Sequence, residues 1–538
     1  MKLGLLGLSL LGASQAHLFE SCLPSDEDSS PMAVSKLFVV RDDLSAHLDA
    51  EQKLAITTLS GFLARTAAGS HLGLVSKSED LVWLSEVADE VVDLYSLDEV
   101  LAEDDIPSGD CRYVLCKVGD NSTNAALSFS AASDECTIVA TEGTAPLLES
   151  FGIKMAMNLT SITDPFWALD NLSGFNQHVS VLQNAGNPVP LSDFAVKCRA
   201  LHWWGWGECG KKLDDPEGLT ERALGLLTPG DAVVVGWGGG EDPEWNCVHA
   251  STSYGSFGMI AADQALNLAV LNASPETVKH RPAVVRSQGD TRQDAKPKHT
   301  VCFVMSDGDN VQWILNDWSA EKGANGWWAS AERGNVKMGW TLSPSLAALA
   351  PAALQWIMAG ATENDQLIAG PSSATYAFVN DFPDTHTFKA FAEESSYLMG
   401  KAGMRIVNVL NDEGFAETVD VMLAEEDIDA VFLYEYNGYS ELGGAISFVG
   451  GKPVIGGRFN LWSPDFYDVD DLVDALKGLP NMDDVTSSDG YTLIPVHAWS
   501  HSVEDIVSAV KQLEADGRFD VVLPDELVAR VAKNVAAV

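Results

Sequence analysis

The chain has 538 residues, a formal net charge of −44 and eight cysteines. Its 46% hydrophobic and 20% charged content is globular, which excludes wholesale disorder and leaves room for two or three domains. So acidic a surface repels phosphate backbones, which argues against nucleic acid and anionic membranes as partners.

Residues 1–16, MKLGLLGLSLLGASQA, have the form of a signal peptide. Lys2 is its basic start, Leu3 to Gly12 its apolar run, and Ser14 and Ala16 are the small residues before a cleavage site. No later stretch offers the ~20 apolar residues that span a bilayer, so a secreted or luminal protein is expected. Residues 36–106 form a first small α/β domain: a strand, KLFVV, then a helical run, DAEQKLAITTLSGFLART. Residues 111–287 form a second α/β domain, with strands in YVLCKV, ECTIVAT and DAVVVGW and helices over Thr144 to Phe151 and Pro190 to Arg199. The polar run from Ser287 to Lys298 reads as a linker.

All the cysteines (22, 111, 116, 136, 198, 209, 247 and 302) lie in the first 302 residues. Disulfides are expected there, with Cys198–Cys209 and Cys111–Cys136 suggested by proximity. Sequons stand at Asn121, Asn158, Asn171 and Asn272, the last weakened by Pro275.

From residue 299 to 538 the rhythm becomes regular. Apolar strands are expected at 301–305, 336–342, 365–370, 405–410, 430–436, 453–459, 491–499 and 519–524, separated mostly by helical segments. Only a Gly-rich loop separates Tyr436 from Lys452. The fold class is α/β: a C-terminal (β/α)8-like barrel preceded by smaller α/β domains, with a doubly wound open sheet as the alternative.

In such barrels the chemistry sits at the carboxyl ends of the strands. The groups that follow the strands include Asp307, Asp309 and Asn310, then Tyr376, Asp412, Glu435 and Asn437. Arg458, Trp462, His497 and Trp499 complete the set. Asp307-Gly308-Asp309 is the sharpest local signal: either an acid pair for a sugar or metal, or an Asx-turn in which Asp309 or Asn310 caps the next helix. Glu435, between Tyr434 and Tyr436, is the first choice for a catalytic acid, since desolvation would raise its pKa. The bland alternative is a Glu paired with Arg458.

The segments VCFVMSDGDNVQWILND and LIAGPSSATYAF resemble the GxGYxYP family of putative glycoside hydrolases, as does the N-terminal RDDLSAHLDAEQKLAITTLSGFLAR. The eponymous motif is degraded. It reads Ser373, Ala374, Thr375, Tyr376, Ala377, Phe378 and Val379, and only the first Tyr survives, as Tyr376. The resemblance implies a secreted carbohydrate-processing protein with a barrel-like C-terminal domain.

Glycoside cleavage needs two carboxyls. Glu435, with Asp307 or Asp309, is expected to supply them. Asn310, Tyr376, Asp412, Asn437, Arg458, Trp462, His497 and Trp499 are expected to bind an oligo- or polysaccharide. Two alternatives stand beside this reading. One is a metal-dependent carbohydrate de-esterase, because His497 and His501 have HxxxH spacing. The other is a non-catalytic glycan-binding protein, with the three Trp of HWWGWGE (202–208) as its platform. No cofactor and no resident metal site are predicted.

Overall fold

The computed structural model describes residues 17–22, 34–44, 48–66, 70–106, 109–204, 209, 218–239, 243–272, 297–319, 326–411, 419–436, 438–462, 466, 468–482 and 484–535. Residues 1–16, where a leader is expected, lie outside them, as do Asp412, Asn437, most of the expected linker and residues 205–208.

The architecture is mixed α/β, built on parallel sheets. Strands β1 (Val34–Arg41), β2 (Ser70–Val75) and β3 (Ala88–Leu94) form a sheet in the order β2-β1-β3. The helix Ala50–Arg65 follows β1 and starts on a capping box between Asp49 and Gln52, which satisfies two backbone donors at its first turn. The next region builds two sheets. Strands β4 (Arg112–Leu115), β5 (Thr137–Ala140) and β6 (Lys154–Asn158) run in the order β5-β4-β6. Strands β7 (Val179–Leu182), β8 (Leu201–Trp203), β9 (Val233–Gly236) and β10 (Met259–Ile260) run in the order β10-β9-β7-β8. One hydrophobic cluster holds Leu37, Val181 and Phe303 together, so the core crosses the boundaries expected from composition.

The C-terminal region carries β11 (His299–Met305), β12 (Met338–Leu342), β13 (Asp365–Ala369), β14 (Ile406–Asn411), β15 (Ala430–Glu435), β16 (Ile446–Val449), β17 (Lys452–Gly456), β18 (Tyr491–Val496) and β19 (Phe519–Val521). All eight expected strands are present within a few residues. Every residue of β11 and β18 is buried, as a parallel strand covered on both faces requires. The sheet order is β16-β17-β15-β14-β13-β12-β11-β18, and the sheet curls.

Two details differ from the expected ring. The Gly-rich loop after β15 contains β16, an added antiparallel strand against β17. The last strand, β19, does not lie between β18 and β11. Those two pair directly over Thr300–Met305, and β19 takes the first residues of β11, His299–Val301, on the other edge. Because β18 fills its edge of β11 over six residue pairs, no place remains there for β19.

Three disulfides form: Cys22–Cys198, Cys111–Cys136 and Cys209–Cys247. The second matches expectation and the Cys198–Cys209 pairing does not occur. Cys198 ends a buried helix on which Phe19 packs through Phe194, at 5.8 Å, so its partner comes from the N-terminal segment. Cys116 and Cys302 are free and buried. The disulfides suggest an extracellular or secreted protein. Among the described residues no helix is long and apolar enough to cross a membrane. Asn272 is buried, takes a hydrogen bond from Lys197 Nζ at 2.7 Å and donates one to the Ala348 carbonyl, so this sequon is not an available glycan acceptor in the folded chain.

Candidate active site

Two layers of side chains separate along the curled sheet. Val431 and Leu433 of β15 join the core under the helices, with Val301, Phe303 and Val409. Phe432 and Tyr434 join the inner cluster, with Cys302, Val304, Ile406, Leu410 and Leu493. This is the period of two expected of strands. Tyr376 and Tyr439 belong to the inner cluster, so the inner face leads to the rim.

At that rim the turn after β11 brings both aspartates in. Gly308 is required there because a Cβ would lie 2.2 Å from the Thr341 carbonyl, so the turn presses against β12. Asp307 itself takes the left-handed conformation, φ 62°. Its Oδ2 accepts from the Ser306 hydroxyl and from the Ala498 backbone N–H at 3.1 Å, and Oδ1 faces the Tyr439 hydroxyl at 3.5 Å. Asn310 is the helix cap: its side chain accepts from Trp313 N–H at 3.2 Å. Asp309 is thereby released from capping.

Asp309 is 8% exposed. Burial raises its pKa well above the ordinary carboxyl value, and the charges of Glu244 and Asp307 raise it further. Glu244 belongs to the helix Pro243–Ser253, which follows β9. It accepts a hydrogen bond from the Tyr376 phenol. Burial, then Glu244 and Asp309, push the Tyr376 hydroxyl well above the usual phenol range. Tyr439 is raised likewise, by burial first and then by Asp307 and Glu244.

Aromatic rings wall this group. Trp237 stacks on Tyr376 at 6.5 Å, and Trp245 packs on Phe378 at 4.8 Å and on Tyr436 at 5.4 Å. On the far side Trp462 lies between Tyr439, at 5.0 Å, and His497, at 4.6 Å. His497 bonds Ser500 Oγ at 2.8 Å; burial lowers its pKa, and Asp307 opposes that shift. Asp307, Glu244, Trp237, Trp462 and His497 are half-buried.

Residues 297–532 match the GxGYxYP putative glycoside hydrolase C-terminal domain. The matched segment thus contains Asp307, Asp309, Tyr376, Tyr439 and His497, while Glu244 and its two tryptophans lie outside it. A crystal structure of a putative hydrolase from Bacteroides thetaiotaomicron superposes with a TM-score of 0.81 at 23% identity, covering 96% of this chain and 99% of that one, so the two share a fold. An S. aureus MnaA–UDP co-structure reaches a TM-score of only 0.14 at 10% identity, over 79% of this chain and 91% of that one. No curated protein matches the chain.

The expected residues divide. Asp307, Asp309, Tyr376, Trp462 and His497 come together. Trp499 stands beside them, 44% exposed and packed on Trp313 at 4.6 Å. Glu435 does not join. It has the parity of Val431 and Leu433, and its carboxyl pairs with Glu441, which raises its pKa to about 7, with desolvation a lesser cause. Arg458 turns away from the rim. Its guanidinium donates to the carbonyls of Ser488, at 3.2 Å, and Tyr491, at 3.5 Å, and its charge acts on His299 at the start of β11. Glu435 is thus paired with Glu441 and not with Arg458. His497 and His501 take separate partners, Ser500 and Asp505. Trp203 of the HWWGWGE segment is buried in β8. Among the described residues no group of three or more His, Cys, Asp or Glu is arranged to hold a metal ion.

Glu244, Trp237, Trp245 and Tyr439 escaped the sequence reading. A signal for Trp237, Glu244 and Trp245 exists in the sequence: WGGGEDPEW directly follows a strand, as SDGDN does.

Proposed function

We propose that this chain is a secreted glycoside hydrolase whose general acid is Asp309. The observation that carries the reading is the burial of Asp309 beside two other carboxylates, Glu244 and Asp307, which raises its pKa well above the ordinary carboxyl value and favours its acid form. In the reaction, the Asp309 proton passes to the glycosidic oxygen as the bond to the anomeric carbon breaks. Water adds to that carbon and gives a proton to the Asp307 carboxylate. The Tyr439 hydroxyl and the Ala498 N–H orient Asp307. Trp237 offers a ring face to the sugar, and His497 and the edge of Trp462 frame it. The carboxylates favour a neutral or cationic saccharide over an anionic one.

The curled sheet is read as barrel-like. The bridges Gly457↔Leu493 and Leu461↔Val496 support this, since they link the chain beyond β17 to β18. Residues 299–538 are read as the barrel domain, 36–106 and 111–287 as the domains before it, and 1–16 as a removed signal peptide. The test is turnover of a panel of 4-nitrophenyl glycosides and plant and microbial polysaccharides by the full chain and by Asp309→Asn. Cleavage by the native protein, lost in the variant, supports the assignment. Binding without cleavage across the panel favours a glycan-binding module instead.

A further inference from the structure

One wall of the site is built entirely by the chain between β9 and β10, far from the barrel strands in sequence. Hydrogen bonds and ring contacts hold it there. Tyr376 donates to Glu244, and Trp237 and Trp245 cover Tyr376, Phe378 and Tyr436. His249, on the same helix, bonds Asp381 at 2.7 Å. Met259 of β10 and Tyr376 exchange backbone hydrogen bonds, both 2.8 Å. Behind the wall, Cys247 of the Pro243–Ser253 helix is tied to Cys209. A Cβ on Gly238 would stand 2.0 Å from Cys247 Sγ, so the loop that carries Trp237 lies directly on this disulfide.

We propose that Glu244, delivered by the disulfide-tethered helix from outside the matched C-terminal domain, is an essential positioning residue of the catalytic centre, holding the Tyr376 phenol and setting the charge against which Asp309 works. The Cys209–Cys247 bond is the part that keeps it in place. Asp307 and Asp309 share the short turn after β11, whereas Glu244 arrives from a separate segment of the chain. The inference deepens the glycosidase reading and rests on it for the word catalytic; the arrangement of Glu244 around Asp309 stands independently of which bond is cleaved.

The test uses the full chain with Glu244→Gln, Glu244→Asp and the double variant Cys209→Ser/Cys247→Ser. Two measurements are made. The first is the pH–rate profile on whichever 4-nitrophenyl glycoside the native protein cleaves. The second, which needs no activity, is the infrared carbonyl band of the protonated acid, assigned with Asp309→Asn and followed against pH. With Glu244→Gln the basic limb and the loss of the band should both move about one unit to lower pH, because a like charge has been removed. Glu244→Asp should keep the charge effect and lose turnover by roughly tenfold, since the shorter side chain cannot hold Tyr376 in the same place. The cysteine variant should reproduce the Glu244→Gln shift. If that variant does not fold, reducing the native disulfide with a dithiol and alkylating Cys209 and Cys247 replaces it. If Glu244→Gln does not fold, Tyr376→Phe cuts the same bond and should lower kcat at unchanged KM.

An unmoved band and an unmoved pH limb in folded Glu244→Gln overturn the proposal while leaving the hydrolase reading intact. A shifted band in a protein that cleaves no glycoside sinks the hydrolase reading and leaves Glu244 as the residue that sets Asp309.

Discussion

The Tyr376 phenol donates to the carboxylate of Glu244, a residue 132 positions earlier in the chain. That bond joins the surviving tyrosine of a degraded motif to the helix that follows β9. The Asp309 carboxyl feels Glu244 from that helix and Asp307 from its own turn.

Asp309 has a stability signature as well as a chemical one. A carboxyl whose folded pKa is raised binds its proton more tightly in the native state. Stability is then unaffected below the ordinary carboxyl pKa and falls as pH rises above it, by at most about 1.4 kcal/mol per pH unit. Asp309→Asn removes this loss. Its thermal midpoint should exceed that of the native protein at pH 8, with the difference vanishing towards pH 4. Calorimetry across that range checks it, alongside a fall in turnover of about two orders of magnitude or more.

The half-buried Glu435 and its partner Glu441 should behave as a proton-sharing pair. Its pKa is raised to about 7 chiefly by the hydrogen bond to Glu441. Glu441→Gln should return the Glu435 titration, followed by carboxyl-carbon NMR, towards the ordinary value. Glu435→Gln should leave kcat within a factor of about three, because the side chain is on the helix-side parity. A collapse of activity in Glu435→Gln would return it to the mechanism.

Gly258→Ala tests the seam between β10 and the Tyr376 segment. Gly258 has φ 93°, and a Cβ there would lie 2.2 Å from the Tyr376 carbonyl oxygen. The substitution should cost about 1–3 kcal/mol and disengage Tyr376 from β10. Urea unfolding should show the loss of stability, and turnover should fall with it.

Peptide mapping without reduction should recover Cys22–Cys198, Cys111–Cys136 and Cys209–Cys247, with Cys116 and Cys302 alkylated only after unfolding. From a glycosylating host, glycan should be found at the exposed Asn158 and Asn171 and be absent from the buried Asn272.

The strand positions after residue 299 were legible because buried parallel strands need continuous apolar runs, and such runs carry their own period. The Asp307-Gly308-Asp309 turn and the capping role of Asn310 were legible for the same local reason. What the amino-acid order alone did not decide is which strand-end groups share a face. Glu435 and Tyr434 are adjacent, yet a pleat turns one outward and the other into the inner cluster. Arg458 sits at a strand end but reaches back to the Ser488 and Tyr491 carbonyls, because its charge finds acceptors there. Glu244 enters the site through tertiary contacts, among them the packing of β10 against the Tyr376 segment, which joins chain segments over a hundred residues apart. Local periodicity is written in neighbouring residues, whereas the partners of a buried charge are chosen by the tertiary packing that desolvates it.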